Sequence, residues 1–217
     1  MNEDQKIISI TGGIASGKST VADIISQKGY KVIRSDDTAK LLMKENQSLK
    51  NKLIAKFGSN IYSGTEVNKD FISKLIFGSD EKSNNNRDNM NSIVHPFVIE
   101  ENYKTIEDFF NTGEKIVFVE SALTFEASME DGYDYIICTY SEEEVVRKRL
   151  QLRNNFSDDQ ITQRLESQLS PQYKKSHSDF TIENNSDLDT LKNTTEFILD
   201  LVVSLPGKDP QKYEEDN

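Results

Sequence analysis

Five short apolar runs punctuate the chain: Ile7–Thr11, Tyr30–Ser35, Lys115–Ser121, Tyr133–Tyr140 and Asp179–Glu183. Each is short, bounded by polar residues and mostly rich in β-branched or aromatic side chains, so each predicts a strand. Between most of them the apolar positions change to helical spacing, as in Val21, Ile24 and Ile25, or from Val145 to Leu152. Strands separated by helices predict βαβ units, hence an α/β fold with a parallel sheet flanked by helices.

One interval breaks this rhythm. Residues 36–114 separate the second and third strands, which predicts an inserted, mainly helical substructure at about 37–114 and a core formed by about 6–36 and 115–204. Within the insertion, the asparagine-rich stretch Asp80–Asn91 reads as a surface connection. A second polar interval follows the amphipathic helix at 142–152 and carries Ser157 as a helix cap, so residues 153–164 are expected to form a lid. Residues 1–205 are expected to form a single domain and 206–217 a flexible acidic tail.

Composition narrows the partners. The 217 residues carry 26 basic and 37 acidic side chains, a net charge of −11, which argues against nucleic acid as a partner. One cysteine, Cys138, and two histidines, His95 and His177, argue against a zinc site. No apolar run approaches the roughly 18 residues of a membrane span, and the start MNEDQK is unlike a secretory signal. The expectation is a cytoplasmic protein without membrane partners, a monomer or weak homo-oligomer.

The chemistry is concentrated after the first strand. Gly12-Gly13-Ile14-Ala15-Ser16-Gly17-Lys18-Ser19, followed by Thr20, fits the P-loop pattern GxxxxGK[ST]. Glycines let successive backbone N–H groups approach phosphate oxygens, and a helix starting near Gly17 aims its positive dipole end at them. Lys18 is then placed to reach the β- and γ-phosphates of ATP, and the Ser19 hydroxyl to coordinate Mg²⁺. A dinucleotide fingerprint starting at Gly12 needs glycine at position 14, where the chain has Ile.

Further motifs follow in order: Val32-Ile33-Arg34-Ser35-Asp36, Ile93-Val94-His95-Pro96, Val119-Glu120-Ser121-Ala122-Leu123-Thr124-Phe125-Glu126, Arg149 with Arg153, Gln168, Lys174, and Ser178–Asn184. Together with TGGIASGKST they resemble the dephospho-CoA kinase family, from Ile7 to about Leu201. The resemblance implies a P-loop NTPase core, an inserted helical subdomain and a lid. It also implies ATP-dependent phosphorylation of the 3′-hydroxyl of dephospho-coenzyme A. Three positions depart from the family's pattern: Arg34 replaces the first aspartate of its usual IDAD, Lys69 stands where an arginine is expected, and Val146 where a glutamine is common.

Asp36, at the end of the second strand, is the expected proton acceptor, the alternative being a helix cap; Asp37 is the better cap. Arg149 and Arg153, one helical turn apart, suit the charge spread over a transferring phosphoryl group, with Arg164 a weaker candidate. Glu120 is either a metal neighbour or an ordinary strand-end acid. By the family analogy Phe125 and Glu126 shape the acceptor pocket, His95 orients structure or contacts the acceptor, and Asn184 contacts adenine or forms a turn. Lys40, Lys69 and Arg87 are possible contacts for the acceptor's pyrophosphate. The rival readings are another small-molecule or nucleotide kinase and a nucleotide-dependent regulatory protein. Asn68-Lys69-Asp70 lacks the spacing of a guanine signature.

Overall fold

The computed structural model describes residues 5–77, 80–154 and 156–208, without the side chains at 153 and 154. All five expected strands are present: β1 (Lys6–Gly12), β2 (Lys31–Arg34), β5 (Ile116–Glu120), β6 (Tyr135–Tyr140) and β7 (Phe180–Glu183). They form one parallel sheet in the order β2-β5-β1-β6-β7, with β1 at its centre. Every residue of β1 is buried, as expected of a parallel strand covered on both faces.

Alternation along the strands feeds two cores. Ile8 and Ile10 join Phe118, Ile137 and Ile182 beneath helices α1 (Lys18–Gln27) and α9 (Leu188–Ser204). Ile7 turns to the opposite face, where it meets Val117, Val119, Phe125 and Ile136, covered by Ile106 of α5 (Glu81–Asn111). The layering places all five carboxyl strand ends, and the turns that follow them, along one edge. In open α/β sheets that edge is where ligands bind.

The insertion consists of α2 (Ser35–Glu45), α3 (Gln47–Phe57), a two-residue hairpin of β3 (Tyr62–Ser63) and β4 (Glu66–Val67), α4 (Lys69–Ile76), and the first half of α5. Its own core gathers Leu49, Leu53, Ile61, Met90, Val94 and Val98. The expectation of a surface connection over 80–91 is corrected: those residues open the longest helix. Asp80 caps it, accepting from the backbone N–H of Ser83 at 2.9 Å and from its hydroxyl at 2.8 Å. Asn86 ties the same segment to the Leu75 carbonyl, and burial of Ser83 and Met90 outweighs the weak helix propensity of the asparagines.

The segment expected to act as a lid, about 153–164, runs from the end of α6 (Glu143–Asn154) into α7 (Asp158–Glu166), whose capping box pairs Ser157 and Gln160 reciprocally. Val146, Leu150 and Ile161 form a core with Ile14 and Ala15 of the P-loop. Val146 therefore meets an apolar environment, which explains an apolar residue at that position. Helix α8 (Pro171–Ser176) leads into β7. The first residues of the expected tail are held: Pro206 accepts from the Tyr135 hydroxyl, and the Lys208 N–H bonds Asp134. The rest of that segment, 209–217, lies outside the described residues.

Candidate active site

The P-loop leaves the carboxyl end of β1 through backbone conformations that its residues were selected to permit. Gly12 and Gly17 have φ of 144° and 103°, and a Cβ at either would collide with the Thr139 carbonyl or the Asn184 amide. Ala15 also lies in the left-handed region at φ 55°. The loop ends at Gly17, and α1 begins at Lys18, so the unpaired N–H groups of its first turn face outward from the sheet edge.

The loop is braced from beneath. Ser16 Oγ and Thr139 Oγ1 are 2.6 Å apart, and the Asn184 amide donates to the Ser16 carbonyl at 2.8 Å. Arg149 donates to the Ala15 carbonyl at 3.2 Å, to Ser141 Oγ at 3.0 Å, and to the Asn184 carbonyl and Oδ1 at 2.9 and 3.1 Å. From the lid side, Gln168 Oε1 accepts the Ile14 N–H at 2.9 Å. Beside the roles expected of them, the Arg149 guanidinium grips the loop's backbone, and both ends of the Asn184 amide are engaged in bracing it. The side chain of Arg153 lies outside the described residues.

Lys18 is 9% exposed and folds back to donate to the Gly13 carbonyl at 2.9 Å. Burial pushes its pKa down, opposed by the negative field of Glu120 and Asp36, while Lys174 adds a smaller downward push. Ser19 donates to Glu120 Oε1 at 3.1 Å, joining the first turn of α1 to the end of β5. A cleft of about 510 Å³ opens beside these residues, lined by Lys18, Ser19, Thr20, Arg149, Asn184 and Leu188 among others.

Asp36 lies in the first turn of α2, exposed, where β2 has just ended. Its turn is fixed by Asn102 of α5, whose amide donates to the buried Ser35 hydroxyl at 3.0 Å. The cap role foreseen for Asp37 is absent: Arg34 occupies the cap position and Asp37 accepts from Lys40 at 2.7 Å. Arg34 itself forms an ion pair with Asp23 of α1, so the unusual residue at the end of β2 fastens that strand to the P-loop helix.

A second cleft, of about 570 Å³, runs from Asp36 into the insertion. Its walls are mainly apolar, with Met43, Val67, Ile72, Met90, Val94 and Val98, and its polar residues include Lys40, Lys44, Lys69 and His95. Lys44 pairs with Glu66 at 2.7 Å. His95 Nε2 is buried without a hydrogen-bond partner, and burial lowers the ring's pKa against the raising influence of Glu126. Arg87 bonds Asn84 on the first turns of α5 and does not line this cleft.

Phe125 and Glu126 do not themselves line this cleft, whereas Leu123 and Ala127 of the same segment do. Phe125 is buried against Tyr173, with ring centres 5.9 Å apart. Glu126 accepts from Lys174 at 2.7 Å and from the Leu169 N–H at 3.1 Å. Lys174 is a residue whose placement sequence reading missed: fully buried, it also donates to the Ala122 carbonyl at 2.6 Å, locking the segment after β5 to α8. Its only sequence signal was a lysine in family register.

One cleft lies against the P-loop and a second, mainly apolar one is bordered by Asp36, and a family model for dephospho-CoA kinase matches residues 6–190. The chain belongs to the dephospho-CoA kinase family. A dephospho-CoA kinase of Listeria innocua is 35% identical over 196 residues, covering 89% of this chain and 96% of that one. Among solved structures, a Thermus thermophilus protein superposes with a TM-score of 0.72 at 24% identity, covering 91% and 98% of the two chains. The dephospho-CoA kinase of Campylobacter jejuni gives 0.65 at 22%, covering 91% and 96%. These two share the fold. The P-loop core with its parallel five-stranded sheet is thus the arrangement read from the sequence.

Proposed function

We propose that the chain transfers the γ-phosphoryl group of ATP to the 3′-hydroxyl of dephospho-coenzyme A, with the nucleotide in the P-loop cleft and the acceptor in the cleft of the insertion. The observation that carries the assignment of roles is the position of Asp36, which borders the acceptor cleft and lies within the electrostatic reach of Lys18. The 3′-oxygen forms a bond to the γ-phosphorus, the bond to the β–γ bridging oxygen breaks, ADP leaves, and the Asp36 carboxylate accepts the hydroxyl proton. Lys18, released from the Gly13 carbonyl, neutralises charge on the phosphates.

The residues at the cleft suit Mg²⁺. Ser19 and Glu120 offer hard oxygen atoms 3.1 Å apart, and no group of three or more carboxylate, cysteine or histidine side chains converges among the described residues. The ion would therefore be held largely by nucleotide phosphates and water, as is usual for Mg²⁺. When bound, it supplies charge neutralisation at the β- and γ-phosphates.

Lys40 and Lys69 stand on the acceptor side, where they meet the pyrophosphate of the acceptor. His95 supplies a neutral ring to the same cleft. The reading extends to a cytoplasmic enzyme acting as a monomer or weak homo-oligomer, the latter checked by size-exclusion chromatography across a concentration series. The reaction is tested by ADP release with Mg-ATP and dephospho-coenzyme A, adenosine, AMP or no acceptor, with product mass measured. A gain of one phosphate confined to dephospho-coenzyme A is the expected result. Turnover with another acceptor instead would displace the substrate assignment.

A further inference from the structure

Phe77, which closes α4, has two neighbours of different kinds. One side of its environment is the acceptor cleft, which it lines together with Ile76 and Ile72. The other is Arg164 of α7, whose guanidinium carbon lies 4.4 Å from the centre of the Phe77 ring and 3.9 Å from that of Phe156, at the start of the lid's second helix. The guanidinium is thus held by aromatic rings from the insertion and from the lid.

Arg164 is only 9% exposed, in a chain with 37 acidic side chains, yet it forms no ion pair among the described residues. Its one described hydrogen bond runs to the Gln160 carbonyl, 3.0 Å away on its own helix. A buried guanidinium remains charged, and without a carboxylate its stabilisation comes from the ring faces. The arrangement leaves a planar cation ready for an anion. Its neighbours point to which one: Leu165 and Ile161 of the same helix pack in the cluster that contains Ile14 and Ala15 of the P-loop, and Gln168, one turn beyond, holds the Ile14 N–H.

We infer that Phe77 is a positioning residue acting through Arg164: its ring holds the guanidinium away from the nucleotide until an acceptor fills the cleft, displaces Phe77 and frees Arg164 for the transferring phosphoryl group. The device is an interlock between the two clefts. It rests on the reading of the insertion's cleft as the acceptor site. Its benefit is chemical: with no acceptor bound, water is the competing nucleophile, forming the bond to the γ-phosphorus while ADP leaves, and a restrained arginine withholds charge stabilisation from that reaction.

The test measures ATP hydrolysis without acceptor alongside phosphoryl transfer to dephospho-coenzyme A. Phe77→Ala is expected to raise acceptor-independent hydrolysis about tenfold, the factor lost with one desolvated cation–π contact. The double variant Phe77→Ala/Arg164→Ala loses the gain, because the effect passes through Arg164. A rise that persists in the double variant assigns the effect to general loosening and overturns the interlock. Phe77→Leu preserves apolar volume without a π face: if it melts with the wild type and hydrolyses ATP no faster, the proposal also fails. Transfer by the wild-type enzyme in the same assay keeps the two readings apart, since its absence would remove the acceptor assignment, whereas its presence with unchanged hydrolysis would remove only the interlock.

Discussion

On the donor side of the active site, Arg149, Asn184, Gln168 and Thr139 reach from distant parts of the chain to hydrogen-bond the P-loop. On the acceptor side, the walls are helices joined by the apolar cluster of Leu49, Leu53, Ile61, Met90, Val94 and Val98, and the lysines Lys40 and Lys44 are paired only with exposed carboxylates. Hydrogen bonds to backbone fix a loop to one geometry, whereas apolar packing between helices tolerates small sliding. The difference teaches where each kind of precision is required. Phosphates need donors at fixed points, while a long, partly apolar acceptor needs volume and a few displaceable charges.

The comparison can be broken first at the point where the sides meet. Asp36→Asn removes the carboxylate proposed as proton acceptor without changing size and is expected to lower kcat by about 10²- to 10⁴-fold, with the KM for ATP within a factor of about two, read in the ADP-release assay. A loss of ATP affinity alone would move Asp36 to the donor side. Next, Leu53→Ala opens a cavity in the fully buried core of the insertion and is expected to cost about 2–5 kcal/mol in denaturant unfolding. If the insertion unfolds as a separate unit, nucleotide binding survives this change.

Arg149→Ala sharpens the donor side. It leaves the Ala15 and Asn184 carbonyls without that donor and is expected to destabilise by about 1–3 kcal/mol and to raise the KM for ATP more than that for the acceptor. Equal change in both constants would mean that the loop is not what Arg149 holds. The smallest effect concerns His95. Burial depresses its pKa below the usual 6.5, so the unfolded chain binds the proton more readily. Stability is then fully present above about 6.5 and falls as pH drops through the folded-state pKa. His95→Gln is expected to flatten that dependence between pH 7 and about 5, as measured by thermal melts at fixed ionic strength.

The two sides also differed in how well the sequence announced them. The strands were readable because burial on both faces demands continuous apolar runs such as Ile7–Ile10, and the P-loop because its glycines and Lys18 have a fixed spacing. Asp36 followed from the end of a strand. The bracing roles of Arg149 and Asn184 were hidden, because their partners are backbone carbonyls at Ala15 and Ser16, and a carbonyl leaves no mark in sequence. Helix α5 was misread at its start because Asn84, Asn85 and Asn86 favour turns locally, and only packing against α4 decides for a helix. Phe125 and Glu126 were assigned by analogy to the cleft, but the side to which a residue in an irregular segment turns has no periodic signal.

The pairing of β1 bears on the order in which the protein can be built. Its two neighbours, β5 and β6, begin at residues 116 and 135, so the strand that carries the P-loop finds no sheet partner in the first half of the chain. Such long-range parallel pairing closes late and slowly. A chain emerging from the ribosome therefore completes the insertion's helices before the centre of the sheet can assemble, and the nucleotide site waits longest of all, for Asn184 to arrive at Ser16.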